Sequence, residues 1–235
     1  MRGAQAAAGT AMKTPILCYV TDRSALPLAT GASPDRIGAL LERIEQAARA
    51  GVDWIQLREK DLEGRALFDL TVRAMAVSAA ARSAETRASI LVNDRLDVAW
   101  SARQTDGGAG VHLGETSLAV SDVVRWKDQA GRSDFVVGAS CHSLERAVQT
   151  AGAGADYIFF GPVFATPSKA AFGPPQGLDK LGEICRAVSI PVLAIGGITA
   201  ENVGACLDAG AAGIAAIRLF QEAQDLAGLL RQIRG

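Results

Sequence analysis

Eight short apolar runs punctuate this chain, and between them apolar residues recur at the three-to-four spacing of helices. The runs read as strands: Ile16 to Val20, Val52 to Leu57, Ile90 to Val92, Val111 to Leu113, Val136 to Ala139, Tyr157 to Phe160, Pro191 to Ile195 and Ile214 to Ile217. Helical stripes follow, with Leu40, Leu41, Ile44, Ala47 and Ala48 after the first strand. Leu67, Leu70, Ala74 and Val77 follow the second, and Leu226, Leu229, Leu230 and Ile233 close the chain. Shorter helices are predicted near Leu96 to Ala102 and Ser121 to Lys127. An internal echo supports the count: Ala50-Gly51-Val52-Asp53, Gly154-Ala155-Asp156-Tyr157 and Gly210-Ala211-Ala212-Gly213 each join a helix end to the next strand.

Strands apolar on both faces and separated by helices imply a parallel sheet. Eight such units fit the length of one α/β domain, a (β/α)8 TIM barrel over residues 15–235. A doubly wound open sheet is the rival, but no G-x-G-x-x-G follows the first strand. Residues 1–14 are Ala/Gly-rich and are expected to form a disordered extension, with Met12-Lys13 as an alternative start. Gln5 and Gly9 interrupt that stretch, which argues against a signal peptide.

Composition narrows the partners. A chain that is 49% hydrophobic with a formal net charge of -1 describes a soluble protein with a substantial core and no basic excess for nucleic acid or anionic membrane. No apolar stretch reaches the roughly 18 residues of a membrane span. Cys18, Cys141, Cys185 and Cys206 form no C-x-x-C pair, so a disulfide framework or thiolate zinc site is not expected, and buried thiols in a reducing cytoplasm are. The oligomeric state is left open, with a homo-oligomer compatible.

Candidate chemistry collects just after the strands, where a barrel keeps its active site. Gln56, Arg58 and Lys60 alternate at the end of strand two and suit an anion with many oxygens, such as a diphosphate; solvated charges paired to Glu59 or Asp61 are the equal alternative. Asn93-Asp94 offers oxygen ligands for Mg2+, although an Asp capping the next helix is the simpler account in isolation. Ser140-Cys141-His142 follows strand five, where a hydroxyl or imidazole capping the helix near Leu144 accounts for it better than a general base does. His112 reads as a satisfied core residue. The segment Gly161 to Gly177 holds four prolines, three glycines and the hydroxyls and cation of Thr166, Ser168 and Lys169, which look like phosphate ligands on a movable loop. Gly196-Gly197 after strand seven and Ile217-Arg218 after strand eight match the usual phosphate site of such barrels.

Together these residues resemble the thiamine phosphate synthase family and its thiazole tautomerase branch, from about Ile16 to the C-terminus. The resemblance rests on Tyr19-Val20-Thr21-Asp22, Gln56-Leu57-Arg58-Glu59-Lys60, Asn93-Asp94-Arg95 and Gly110-Val111-His112-Leu113-Gly114. It continues in Gly161-Pro162-Val163-Phe164 with Thr166 and Lys169, and in Ala194-Ile195-Gly196-Gly197-Ile198. It implies condensation of a hydroxymethylpyrimidine diphosphate with a thiazole phosphate. Arg58, Lys60, Asn93 and Lys169 would hold the diphosphate, Asp94 would meet Mg2+, and Gln56 and Ser140 would orient the pyrimidine. Thr166, Ser168, Gly197 and the Ile217-Arg218 backbone would cradle the thiazole phosphate. Arg58, Lys60, Lys169 and Ser140 would carry catalysis.

The chain departs from the family pattern in two places. Ser117 stands where the synthases carry a second metal-ligand Asp, unless Glu115 substitutes, and Arg218 replaces a Ser. The catalytic His of the tautomerase branch falls at Pro162. An isomerase of that branch and a non-catalytic thiamine-phosphate binding protein are the alternatives to a synthase.

Overall fold

A computed structural model describes residues 14–27, 35–81, 88–106, 109–166 and 174–235 of the chain. The strands are β1 (Ile16–Val20), β2 (Trp54–Leu57), β3 (Ser89–Asn93), β4 (Ala109–Leu113), β5 (Val137–Cys141), β6 (Tyr157–Phe160), β7 (Val192–Ile195) and β8 (Gly213–Ala216). Each pairs in parallel with its sequence neighbour, and β1 pairs with β8, so the sheet closes into the expected barrel. The helices are α1 (Arg36–Ala50), α2 (Gly64–Ala80), α3 (Leu96–Asp106), α4 (Val120–Gln129), α5 (Leu144–Gly152), α6 (Gly177–Ala187), α7 (Val203–Asp208), α8 (Arg218–Gln221) and α9 (Leu226–Arg234).

Local chemistry explains most boundaries. Asp35, Ser143 and Asp225 each accept a backbone N–H of the first turn that follows, of Gly38, Arg146 and Gly228. α1 ends where Gly51 turns left-handed, at φ 97°. Three expectations need correction. Strand two begins at Trp54 rather than Val52, because the Val52 N–H is taken by the α1 carbonyl of Ala47. β5 runs on to Cys141, which puts Ser140 inside the strand rather than after it. α3 and α4, expected to be short, span 11 and 10 residues. Residues 1–13 of the expected extension lie outside the described residues.

Apolar side chains separate into an inside and an outside layer. Leu17, Ile55, Ile90, Ile158, Val192 and Ile214 face outward and pack under the helices. Cys18, Val20, Leu91, Tyr157, Phe159, Leu193 and Ala215 fill the barrel interior. Gly138 makes room there, since a Cβ would come within 2.0 Å of the Tyr157 ring.

The N-terminal end of the barrel is closed by a repeated device. Asp53 donates its N–H to Leu17 O and accepts the Leu17 N–H at 2.7 Å on Oδ2. Four strands on, Asp156 donates its N–H to Val137 O and accepts the Val137 N–H at 2.7 Å. Each carboxylate also meets a cation, Arg234 for Asp53 and the buried Lys127 for Asp156, both at 2.9 Å. Asp156→Ala is expected to cost about 1–3 kcal/mol, because it leaves Lys127 with the Phe135 carbonyl but no counter-charge and takes the acceptor from one strand-end N–H. Urea unfolding measures this loss, and function at the opposite end should persist.

Candidate active site

At the C-terminal rim one hydrogen-bonded chain links three strands. Gln56 of β2, 2% exposed, donates Nε2 to Asn93 Oδ1 at 2.9 Å. Asn93 of β3 donates Nδ2 to Asp94 Oδ2 at 2.6 Å. Asp94 Oδ1 accepts the Gly114 N–H after β4 at 2.7 Å and also the Ser117 hydroxyl. Asp94 sits at φ 61°, a left-handed backbone that Asp tolerates better than most residues. Partial burial would raise its pKa, but the bonds from Ser117, Gly114 and Asn93 outweigh that and hold it below the ordinary carboxylate range. Asp94 is therefore an ionised acceptor turned across the rim. This corrects the simpler expectation that it caps α3.

A second chain crosses β4, β5 and β6 inside the barrel. His112, 1% exposed, has Nδ1 2.9 Å from the Tyr157 hydroxyl and Nε2 2.9 Å from Ser140 Oγ. Burial pushes its pKa down to about 3; the Asp94 charge opposes that and Arg58 adds to it. The ring is thus neutral, with one donor and one acceptor. Burial also raises the Tyr157 pKa well above its ordinary value, so the phenol keeps its proton and needs an acceptor. Tyr157 therefore donates to Nδ1, and Nε2–H donates to Ser140. The Ser140 proton is left to point at whatever occupies the rim. His112 is satisfied, as expected, yet it is also the partner that aims Ser140.

Strand alternation accounts for Gln56 and Arg58, but β2 ends at Leu57 and Lys60 lies beyond it, exposed in a turn. The Arg58 N–H is fixed by Thr21 Oγ1 at 3.0 Å. Neither Arg58 nor Lys60 is paired with a carboxylate among the described residues. Glu59 and Asp61 instead bind Arg23. His142 donates Nδ1–H to the Gly161 carbonyl, and the neighbouring Ser143 hydroxyl is the α5 cap.

Opposite these groups, Gly196 and Gly197 after β7 adopt φ 96° and 68°. A Cβ on Gly196 would reach 2.6 Å from Pro162, and one on Gly197 2.6 Å from Ala165 O. Both glycines thus admit the segment after β6, which bonds back through Val163 N–H to Ile195 O and Phe164 N–H to Gly196 O. Close approach to a neighbouring loop, in addition to any phosphate, requires glycine here. Asn202 holds this turn by donating to Gly197 O at 2.9 Å and accepting from Thr199 N–H at 2.9 Å. Thr166 is half-buried at the edge of the described segment, while Ser168 and Lys169 lie outside the described residues. Ile217 precedes α8, and Arg218 opens it with an exposed side chain. Glu115 is exposed, and Ser117, standing in the predicted second-ligand position, meets Asp94 directly.

Nothing in the sequence alone marks Arg23, Thr21, Tyr157, Asn202 and Gln221 as individual site residues. The available signal is at His112, which is polar between the apolar Val111 and Leu113 and so faces the barrel interior, where Tyr157 meets it.

Comparison with known proteins finds relatives of the whole barrel. A family model described as thiamine monophosphate synthase matches residues 26–220. A thiamine-phosphate synthase of Methanoculleus marisnigri is 43% identical over 188 residues, 80% of this chain and 83% of that protein. One from Roseiflexus castenholzii is 40% identical over 187 residues, 80% and 76% respectively. Among solved structures, thiamine phosphate pyrophosphorylase from Pyrococcus furiosus superposes with a TM-score of 0.74 at 28% identity, covering 96% of both chains. A 3-hexulose-6-phosphate synthase, with a TM-score of 0.62 and 17% identity over 94% of this chain and 98% of its own, shares the barrel alone.

Proposed function

The chain belongs to the thiamine monophosphate synthase family, and from that premise we propose how its rim joins a pyrimidine diphosphate to a thiazole phosphate with release of pyrophosphate. The observation that carries the proposal is the Gln56–Asn93–Asp94–Ser117 chain beside Arg58, which no carboxylate pairs among the described residues, on one rim. Arg58 and Lys60, with Lys169, would take the diphosphate oxygens through charge-assisted bonds. Asn93 and Gln56, already fixed to one another, would present their remaining amide groups to substrate. Ser140, aimed by His112, would donate to an acceptor on the pyrimidine ring. The backbone of Gly197 and of Ile217-Arg218, with Thr166 and Ser168, would hold the thiazole phosphate.

The reaction needs the bond between carbon and the departing diphosphate to break while the thiazole nitrogen attacks that carbon. The electron-rich aminopyrimidine spreads the positive charge that develops, and Arg58, Lys60 and Lys169 stabilise the negative charge on the leaving pyrophosphate. No protein nucleophile takes part, and holding both rings in place supplies much of the rate. Of the two histidines, His112 has both ring nitrogens engaged and His142 is tied to a carbonyl. Neither the isomerase nor the binding-protein alternative draws support from the rim.

Hard oxygen donors at Asp94 and Ser117 suit Mg2+, which accepts one carboxylate together with substrate phosphates. Among the described residues no group of three or more His, Cys, Asp or Glu gathers, so Asp94 would be the principal protein ligand. Bound there, Mg2+ would neutralise phosphate charge. The cysteines Cys18, Cys141, Cys185 and Cys206 are free thiols, with burial raising the pKa of each, which suits a reducing cytoplasm. No helix among the described residues is long and apolar enough to cross a membrane.

Incubating the protein with both phosphorylated heterocycles should yield thiamine phosphate and pyrophosphate, with a rate that rises on adding Mg2+. No product at high enzyme concentration would sink the synthase reading. Equal rates with Mg2+ and with chelator would sink the metal assignment alone.

A further inference from the structure

In sequence, Glu59 stands between the rim cations Arg58 and Lys60, and Asp61 follows Lys60. Left free, these two anions would compete for Arg58 and Lys60 and cancel the positive field a diphosphate needs. The fold commits both elsewhere. Arg23, in the turn after β1, donates Nη1 to Glu59 Oε2 at 2.9 Å and to Asp61 Oδ1 at 2.7 Å. Its Nη2 donates to Asp61 Oδ2 at 2.5 Å, and its backbone N–H lies 3.2 Å from both Glu59 oxygens. The Thr21 hydroxyl completes the set, donating to Glu59 Oε1 at 2.6 Å while accepting the Arg58 N–H. Glu59 is only 5% exposed, so little water reaches its charge and the guanidinium must balance it.

The turn itself is fixed from both sides, by α8 after the neighbouring strand β8 and by the start of α1. Gln221 accepts the Asp22 N–H at 2.8 Å and donates to Asp22 O at 3.1 Å. Arg36 donates to the carbonyls of Arg23 and Ser24. Arg23 is thus held as a fork whose two arms are spent on the two carboxylates flanking Lys60.

We propose that Arg23 is a positioning residue that neutralises Glu59 and Asp61 and so reserves Arg58 and Lys60 for the diphosphate of the substrate. The proposal rests on Arg58 being a diphosphate ligand. Arg23, Arg58 and Lys60 against Glu59 and Asp61 leave one net positive charge, and without Arg23 the balance falls to zero. Worse for an anion, the enclosed Glu59 carboxylate would stand uncompensated one hydroxyl away from the Arg58 backbone. Salt screens such a partly buried charge poorly.

Calorimetric titration of the full chain with pyrophosphate in the presence of Mg2+ tests this. Arg23→Ala should weaken binding about fivefold, the upper scale of one part-exposed ion pair. Adding Glu59→Gln to Arg23→Ala should recover most of that loss, because the amide keeps an acceptor for Thr21 and carries no charge. A purely structural role predicts the reverse, since the bonds Arg23 made are still missing in the double variant. No rescue, or unchanged binding in Arg23→Ala, overturns the proposal. Unchanged binding in Arg58→Ala would instead strike the underlying assignment of the diphosphate ligand. Should Arg23→Ala fail to fold, Arg23→Gln with and without Glu59→Gln makes the same comparison with similar side-chain reach.

Discussion

Arg58→Ala is expected to lower the turnover number for thiamine phosphate formation by about 100- to 1000-fold, the usual effect of deleting one preorganised group aimed at developing charge. The guanidinium stands at the end of β2 with its backbone N–H fixed by Thr21 and no carboxylate partner among the described residues. Its positive charge is therefore available to a leaving pyrophosphate, whose charge grows as the carbon–oxygen bond breaks. Because that demand is greatest in the transition state, the loss should fall on turnover more than on the KM of either substrate. The half-exposed side chain lies at the rim, so urea stability should change little. Turnover within about twofold of the wild type would mean that another cation carries the role.

His112 should make the fold acid-sensitive. Its ring is neutral when folded, with a pKa pushed down to about 3, whereas an unfolded chain presents it near 6.5. As pH drops below 6.5 the unfolded chain takes up a proton that the folded barrel refuses. The stability that this group contributes is complete above about pH 6.5 and is lost progressively down to about pH 3. At pH 5 the loss should reach about 2 kcal/mol, and across the whole window about 4–5 kcal/mol. His112→Gln removes the titration while leaving an amide near Ser140. Urea unfolding at pH 7.5 and pH 5 should therefore show a smaller acid penalty in the variant than in the wild type, whatever the variant's own stability. Equal penalties would mean that His112 takes its proton inside the fold.

Much of the barrel was legible because its signal is local. Eight apolar runs, helical stripes between them and glycines at the joints specify β/α units without knowledge of their contacts. The site was legible to the extent that it lies at strand ends: Gln56, Arg58, Asn93, Asp94, Ser140, Gly197 and Arg218 belong to segments leaving one end of the closed sheet. Less legible was what each polar group binds. Asp94 looked like a helix cap because caps are common, and only the backbone at φ 61° turns it to Ser117, 23 residues away. Likewise Glu59 and Asp61 are sequence neighbours of the rim cations, yet their partner is Arg23, 36 and 38 residues earlier. Such pairings depend on register between strands. A composition or spacing argument contains no term for them.

The matched Asp53 and Asp156 devices have a consequence for how this protein could diversify. The two four-strand halves rest on the same foundation but carry unequal loads: the groups assigned to the pyrimidine diphosphate come from both, Arg58 and Asp94 from the first and Ser140 and Lys169 from the second, whereas those assigned to the thiazole phosphate, Gly197 and Arg218 among them, come from the second alone. Residue changes in the first half can then retune recognition of the pyrimidine diphosphate without touching the thiazole phosphate groups, whereas changes in the second half bear on both. The plane between the halves, where the two rings must meet, is the region least free to vary.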